Sequence, residues 1–192
     1  MKALGIVKSL YKATFVVSLE LPQLPGTYAL ILELDCELEV EVGGRRGRLK
    51  PGTYVYVGSA LGAGGLKARV SRHCSRGKGV RWHIDQLTRR VTPSYVVYAV
   101  SNLRLECRLV RLLLEMGFYS PIRGFGSTDC RSGCPSHLLA SSSGISYCIR
   151  AVAEALLRLG VEPKVYRIST RHTPLSPFSN ALASRSLPTI EP

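Results

Sequence analysis

The chain has 192 residues, 45% of them hydrophobic and 20% charged, with 26 Lys and Arg against 13 Asp and Glu for a formal net charge of +13. That length suits one domain of roughly 100 to 150 residues with extensions, and the composition is that of a globular chain with a sizeable core. No apolar run approaches the ~18 residues needed to span a bilayer. The segment around Lys2, Lys8 and Lys12 lacks a small-residue cleavage site, so no signal peptide and no membrane partner are expected and the cytoplasm is the expected compartment.

The positive excess points to a polyanionic partner, because each phosphate neutralised by Lys or Arg releases counterions. Its distribution is uneven. Eight basic residues and one acid, Asp85, fall between Lys67 and Arg90, while Glu33, Asp35, Glu37, Glu39 and Glu41 hold five of the thirteen acids. Arginines outnumber lysines 19 to 7, and only two Asn and two Gln occur, a lean toward a thermophilic source.

In chain order, residues 1–25 form an N-terminal extension expected to supply an extra strand or pairing segment. GTYALILEL from Gly26, ELEVEV from Glu37 and GTYVYVGS from Gly52 read as three strands rich in branched and aromatic residues. Leu38, Val40 and Val42 alternate with Glu37, Glu39 and Glu41, which predicts a half-buried strand with an acidic outer face, followed by a GGRRG turn. The acidic row reads as a solvated face, with metal binding as the alternative.

Gly62, Gly64 and Gly65 lead into a short helix over Leu66–Cys74, and Trp82, Ile84 and Leu87 predict a further helical turn or two. Ser94–Val100 reads as a fourth strand. A helix then runs to Gly117 with Leu105, Leu109, Leu112 and Leu113 on one stripe. The order predicts a small α/β or α+β domain over residues 26–140. Residues 141–192 read as a C-terminal extension: a helix over Ile149–Gly160, a strand-like KVYRIS, and from Arg171 a mobile Pro/Ser/Thr tail.

Tyr56 on its strand, Arg69 on the next helix and His73 four residues later would bring a phenol, a guanidinium and an imidazole to one strand end. Their spacing alone is equally that of a packed tyrosine, a solvated arginine and a core histidine. Glu106, between Leu105 and Cys107, places a carboxylate at the start of an apolar helix, where it either needs a partner or metal or simply favours the helix dipole.

With GTY at Gly26–Tyr28, YVG at Tyr56–Gly58, Arg69 with His73, and the helical Glu106, the chain resembles the GIY-YIG nuclease superfamily. The longer run PGTYVYVGSALGAGGLKARVSRH, with RWHID, FGSTDC and a later SHL, looks like its stand-alone Uri-type branch, related to intron-encoded endonucleases and to the incision module of nucleotide-excision repair. The resemblance covers residues 26–140. It implies a small, mostly antiparallel sheet flanked by helices and hydrolysis of a DNA phosphodiester, the DNA being structure-specific or damaged, with one divalent metal, Mg²⁺ or Mn²⁺. Carried over, Tyr28 and Tyr56 take the motif tyrosine positions, Arg69 stabilises transition-state charge, His73 assists the attacking water and Glu106 holds the metal. The interval between Gly26 and Gly58 is longer than in compact members and Thr27 stands where they have Ile. His83 either contacts phosphate or packs beside Trp82.

Asp129, Cys130, Cys134 and His137 form a second constellation. Cys-x3-Cys-x2-His supplies three zinc ligands and would need a fourth from Cys74 or Asp129; a disulfide, or a loop packed beside the cleft with Asp129 on backbone amides, are the other readings. Lys67, Arg72, Arg76, Lys78 and Arg81, continued by Arg89 and Arg90, form the expected phosphate track. A non-catalytic nucleic-acid-binding module on the same scaffold, or a zinc-stabilised structural protein, are the alternatives to a nuclease.

Overall fold

The computed structural model describes residues 20–75 and 77–168; the expectations for residues 1–19, for Arg76 and for the chain from residue 169 onward lie outside these. The elements run β1 (Gly26–Leu34), β2 (Leu38–Val42), β3 (Arg45–Leu49), β4 (Gly52–Ser59), α1 (Gly65–Cys74), α2 (His83–Thr88), β5 (Tyr95–Val100), α3 (Glu106–Glu115), β6 (Leu138–Ser141), α4 (Ile145–Arg158) and β7 (Lys164–Arg167). Five strands form one sheet in the order β6-β4-β1-β5-β7, and every pairing in it is antiparallel. The fold is α+β. No helix among the described residues is long and apolar enough to cross a membrane.

β1 is central, and its period-two alternation feeds two cores. Tyr28, Leu30 and Leu32 face one side with Tyr54, Tyr56, Leu66, Val70, Ile84 and Leu87, so α1 and α2 cover that face. Ala29 and Ile31 face the other side with Val55, Val57, Leu109, Leu113, Val152 and Leu156, beneath α3 and α4. A strand buried on both faces needs a near-continuous apolar run, which GTYALIL provides. Each fully buried Leu or Ile contributes about 1.5–3 kcal/mol.

Three features differ from the sequence expectation. First, GGRRG is not only a turn: Gly43 and Gly44 have φ of +57° and +75°, the backbone a two-residue hairpin turn demands, and Arg45 begins β3, which pairs with β2 in a separate two-stranded sheet. Glu39 stands opposite Arg48 and Glu41 opposite Arg46, and Arg48 lies 3.7 Å from both Glu37 and Glu39. The acidic row is thus an exposed, arginine-answered face. Gln86 on α2 clasps this hairpin by bonding both the N–H and the carbonyl of Glu41.

Second, α4 starts at Ile145, four residues before the expected Ile149, and buries Cys148, Ala151, Val152, Ala155 and Leu156 against the sheet. Third, the strand expected at KVYRIS forms, over Lys164–Arg167 as β7, but it is an edge strand on β5 rather than part of an appendage. Residues 141–168 are therefore one layer and one edge of this fold, because the apolar stripe of α4 buries itself only there.

Candidate active site

At the end of the sheet where β1 begins and β4 finishes, Tyr28 on β1 pairs with Gly58 on β4. A Cβ on Gly58 would lie 2.5 Å from the Tyr28 hydroxyl, so the third letter of YVG is a glycine because a tyrosine ring lies across it. The Tyr28 hydroxyl is 2.7 Å from Nε2 of His73 on α1, and both are buried. On the other side of that imidazole, Nδ1 faces Oδ1 of Asp85 on α2 at 3.8 Å, and neither atom has another hydrogen-bond partner among the described residues. Asp85 is the anion nearest Nδ1, an arrangement that favours the tautomer with its proton on Nδ1, in which Nε2 accepts the Tyr28 O–H.

Asp85 is fully buried and held from four sides. Its Oδ2 accepts from Arg72 at 3.0 Å and from the Arg81 and Trp82 backbone N–H groups at 2.9 and 3.0 Å, and Lys78 lies 3.6 Å from its Oδ1. Burial would raise its pKa, but His73, the two amides and Lys78 outweigh that and hold the carboxyl well below the ordinary carboxylate range. Burial lowers the His73 pKa against the pull of Asp85, so the ring is neutral at neutral pH. Burial also pushes the Tyr28 phenol well up, with Tyr56 adding to it and Arg69 opposing it, and does the same to Tyr56.

Trp82 organises the cations. The Arg69 and Arg72 guanidinium carbons each lie 4.4 Å from its ring centroid and that of Arg81 lies 5.1 Å away. Its ring also meets His73 at 5.7 Å. Each such cation–π contact contributes about 0.5–1 kcal/mol at exposed sites and fixes where the charge sits.

Tyr28, Tyr56, Arg69, His73 and Glu106 all line one cleft of about 810 Å³. Glu106 opens α3 and is only 9% exposed. Its Oε1 is 3.8 Å from the exposed Arg104, while its Oε2 is buried without a hydrogen-bond partner among the described residues. A buried, unpartnered carboxylate oxygen is costly and is what a hard divalent cation would satisfy.

The phosphate track is only partly where the sequence put it. Lys78 is a correction: its side chain is 6% exposed and donates to the Arg72 and His73 carbonyls and to Thr88 Oγ1, and burial lowers its pKa to about 8. Arg72 is tied to Asp85, so it braces the site. His83 packs on Phe125 at 5.6 Å, and its Nδ1 accepts from the Gly126 N–H at 3.2 Å; it does not line the cleft. Lys67 and Arg81 are exposed. The cleft instead takes its positive rim from Arg104, Arg108, Arg111 and Arg131, beside Arg69 and facing the acids Glu106 and Asp129. Arg108 and Arg111, three residues apart on one side of α3, with Arg104 just ahead of that helix, were the available signal.

Asp85 also escaped sequence reasoning, since a single acid in a basic segment reads as a solvated residue. So did Cys107. Cys107, Cys130, Cys134 and His137 bring their donor atoms within 4.8 Å of one another, with Cys107 Sγ 3.3 Å from Cys130 Sγ and 3.8 Å from His137 Nε2. This group is able to hold a metal ion. The fourth donor is Cys107, not Cys74, which is buried at the end of α1, nor Asp129, which is exposed on the cleft rim. All six cysteines are free thiols, so no Cys130–Cys134 disulfide is present.

A small antiparallel α+β domain with a basic, tyrosine-lined cleft at the end of its central strands is the class these features define. The chain matches the family described as domain of unknown function DUF123 over residues 27–158, from β1 through α4, and belongs to it. No curated protein and no solved structure matches it significantly.

Proposed function

We propose that the protein is a metal-dependent endonuclease of the GIY-YIG type that hydrolyses phosphodiester bonds in DNA. The observation that carries this reading is the convergence of Tyr28, His73, Arg69 and the unpartnered Glu106 oxygen on one cleft. A phosphodiesterase needs a proton acceptor for water, a fixed cation for the charge that grows on the phosphoryl oxygens, and a hard anionic ligand for a divalent ion.

Each residue has a share. As water attacks phosphorus, its proton passes to the Tyr28 oxygen while the Tyr28 proton passes to Nε2 of neutral His73, Asp85 balances the imidazolium that results, and the P–O bond to the leaving nucleoside oxygen breaks, that oxygen taking its proton from solvent water. Arg69, steadied on Trp82, answers the developing phosphoryl charge; Arg108, Arg111 and Arg131 hold the flanking backbone. Tyr56 borders the same hollow. Glu106 is the residue to hold a Mg²⁺ or Mn²⁺ ion, which when bound would polarise the phosphoryl oxygen.

The test is nicking of plasmid, flapped and branched DNA by the full chain with Mg²⁺ or Mn²⁺, beside Glu106→Ala and Arg69→Ala. Metal-dependent nicking lost in both variants supports the reading. Tight DNA binding with no cleavage of any form, unchanged by Glu106→Ala, would overturn it in favour of a binding module.

A further inference from the structure

We propose that Cys107, Cys130, Cys134 and His137 bind one structural Zn²⁺ that locks the wall of the cleft against the first turn of α3. Four donors is a complete tetrahedral set. Zinc bonds of about 2.0–2.3 Å place neighbouring donor atoms of a tetrahedron about 3.6–3.8 Å apart. The Cys107–Cys130 and Cys107–His137 separations of 3.3 and 3.8 Å are close to that geometry before any ion is bound. Three thiols with an imidazole form a soft set that selects zinc over magnesium or calcium, and with no position left open the ion is structural rather than hydrolytic.

The donors come from three places in the fold: Cys107 from α3, Cys130 and Cys134 from the irregular segment between α3 and β6, and His137 from the residue before β6. That segment, residues 116–137, is longer than loops without a clamp or a function usually are. Besides its internal turns it is held by the Tyr119–Ala140 bridge, the Val57 N–H on the His137 carbonyl, the Gly126 N–H on His83 and the Tyr147 hydroxyl on the Met116 carbonyl, while residues 130–134 meet α3 through the Arg111 guanidinium on the Ser132 carbonyl at 3.1 Å. An ion here would fasten its C-terminal part, residues 130–137, to the helix. Cys107 adjoins Glu106 in the chain, and Cys107, Cys130 and His137 line the same cleft as Glu106. The ion would therefore hold the Glu106 backbone in register with the sheet. The site itself stands independently of the nuclease reading; only this last consequence rests on it.

The experiment is elemental analysis and Co²⁺ substitution of the full chain purified without chelator. The expected result is one zinc per chain. The Co²⁺ form should show tetrahedral d–d bands and thiolate-to-cobalt charge transfer of an intensity set by three thiolates. Cys107→Ser should lower zinc affinity by tenfold or more, while Cys36→Ser and Cys148→Ser, outside the cluster, leave it unchanged. Should Cys107→Ser fail to fold, the cobalt spectrum of the parent still counts the thiolates. The proposal is overturned by absence of zinc after reconstitution, by full zinc retention in Cys107→Ser, or by mass spectra showing a Cys107–Cys130 disulfide as the isolated form. Because metal content is read without DNA, failure here and failure to cleave DNA are separable.

Discussion

The Tyr28 hydroxyl and the His73 Nε2 atom, 45 residues apart in the chain, lie 2.7 Å apart inside the protein, with Asp85 facing the opposite nitrogen of the same ring. The contact exists because Gly58 lets the tyrosine ring lie across β4. A phenol bonded to a neutral imidazole can take a proton from one side while releasing one to the other.

Tyr28→Phe keeps the ring on Gly58 and removes only that hydroxyl. Cleavage is expected to fall by about 10²–10⁴-fold, the usual share of general acid–base catalysis, with the circular dichroism spectrum unchanged and stability lowered only by the loss of one buried hydrogen bond, about 1–3 kcal/mol. Wild-type nicking by this variant would exclude Tyr28 as the proton acceptor.

Asp85→Asn leaves Lys78 and Arg72 facing a neutral amide in a buried site. Removing one partner of a buried ion pair costs about 3–5 kcal/mol, to be read as a lowered midpoint in urea. The carboxyl of Asp85 is depressed in the fold from its ordinary 3.8, so its stabilisation is fully present above pH 3.8 and is lost as pH falls through the lower folded value. The variant should show a smaller acid-induced loss of stability than the parent over that window.

His73 has the opposite sign of shift for a base: burial lowers it from 6.5. Above pH 6.5 it is neutral folded and unfolded and contributes nothing. Below that, the unfolded chain takes up the proton that the folded one refuses, so stability falls as pH drops through 6.5 toward the folded value. His137, also lowered by burial, adds to the same slope. Urea titrations at a series of pH values should show His73→Gln with a shallower slope than the parent; identical slopes would mean that His73 is not held neutral.

Glu106→Ala removes a buried carboxylate whose Oε2 has no hydrogen-bond partner among the described residues. Without added metal the variant is expected to be as stable as the parent or more so, by about 1 kcal/mol. Calorimetry should further show that Mn²⁺ raises Tm of the parent, by preferential binding to the folded state, and leaves that of Glu106→Ala unmoved. A marked loss of stability in the metal-free variant would make Glu106 a packing residue.

Trp82 is the single tryptophan of the chain, so its fluorescence reports on the arginines around it without labelling. DNA binding should quench or shift that emission. Trp82→Ala, which frees Arg69, Arg72 and Arg81 from the ring, should weaken DNA binding several-fold, while Trp82→Phe keeps part of the cation–π support. Equal affinity in Trp82→Ala would show that the ring does not position the phosphate-binding charges.

Strands β1, β2, β4 and β5 and helices α1 and α3 were legible because each carries its own period: alternating apolar residues, or an apolar stripe three and four apart, bounded by glycines. The residues brought to the cleft, Tyr28, Tyr56, Arg69, His73 and Glu106, sit on those legible elements. Short pieces were not. β3 is an arginine run that becomes a strand only by facing the glutamates of β2, and β6 has four residues whose pairing with β4 supplies what their length cannot.

Local pattern therefore settled which of the longer segments extend and which coil. Side-chain assignment among like residues was left to packing, since whether an acid, a lysine or a thiol faces water or a partner depends on neighbours far along the chain. Asp85 became a buried brace because α2 lies on α1, and Lys78 turned inward to meet it. Cys107 joined Cys130, Cys134 and His137 because α3 lies against the segment that leads into β6, a proximity that spacing along the chain does not encode.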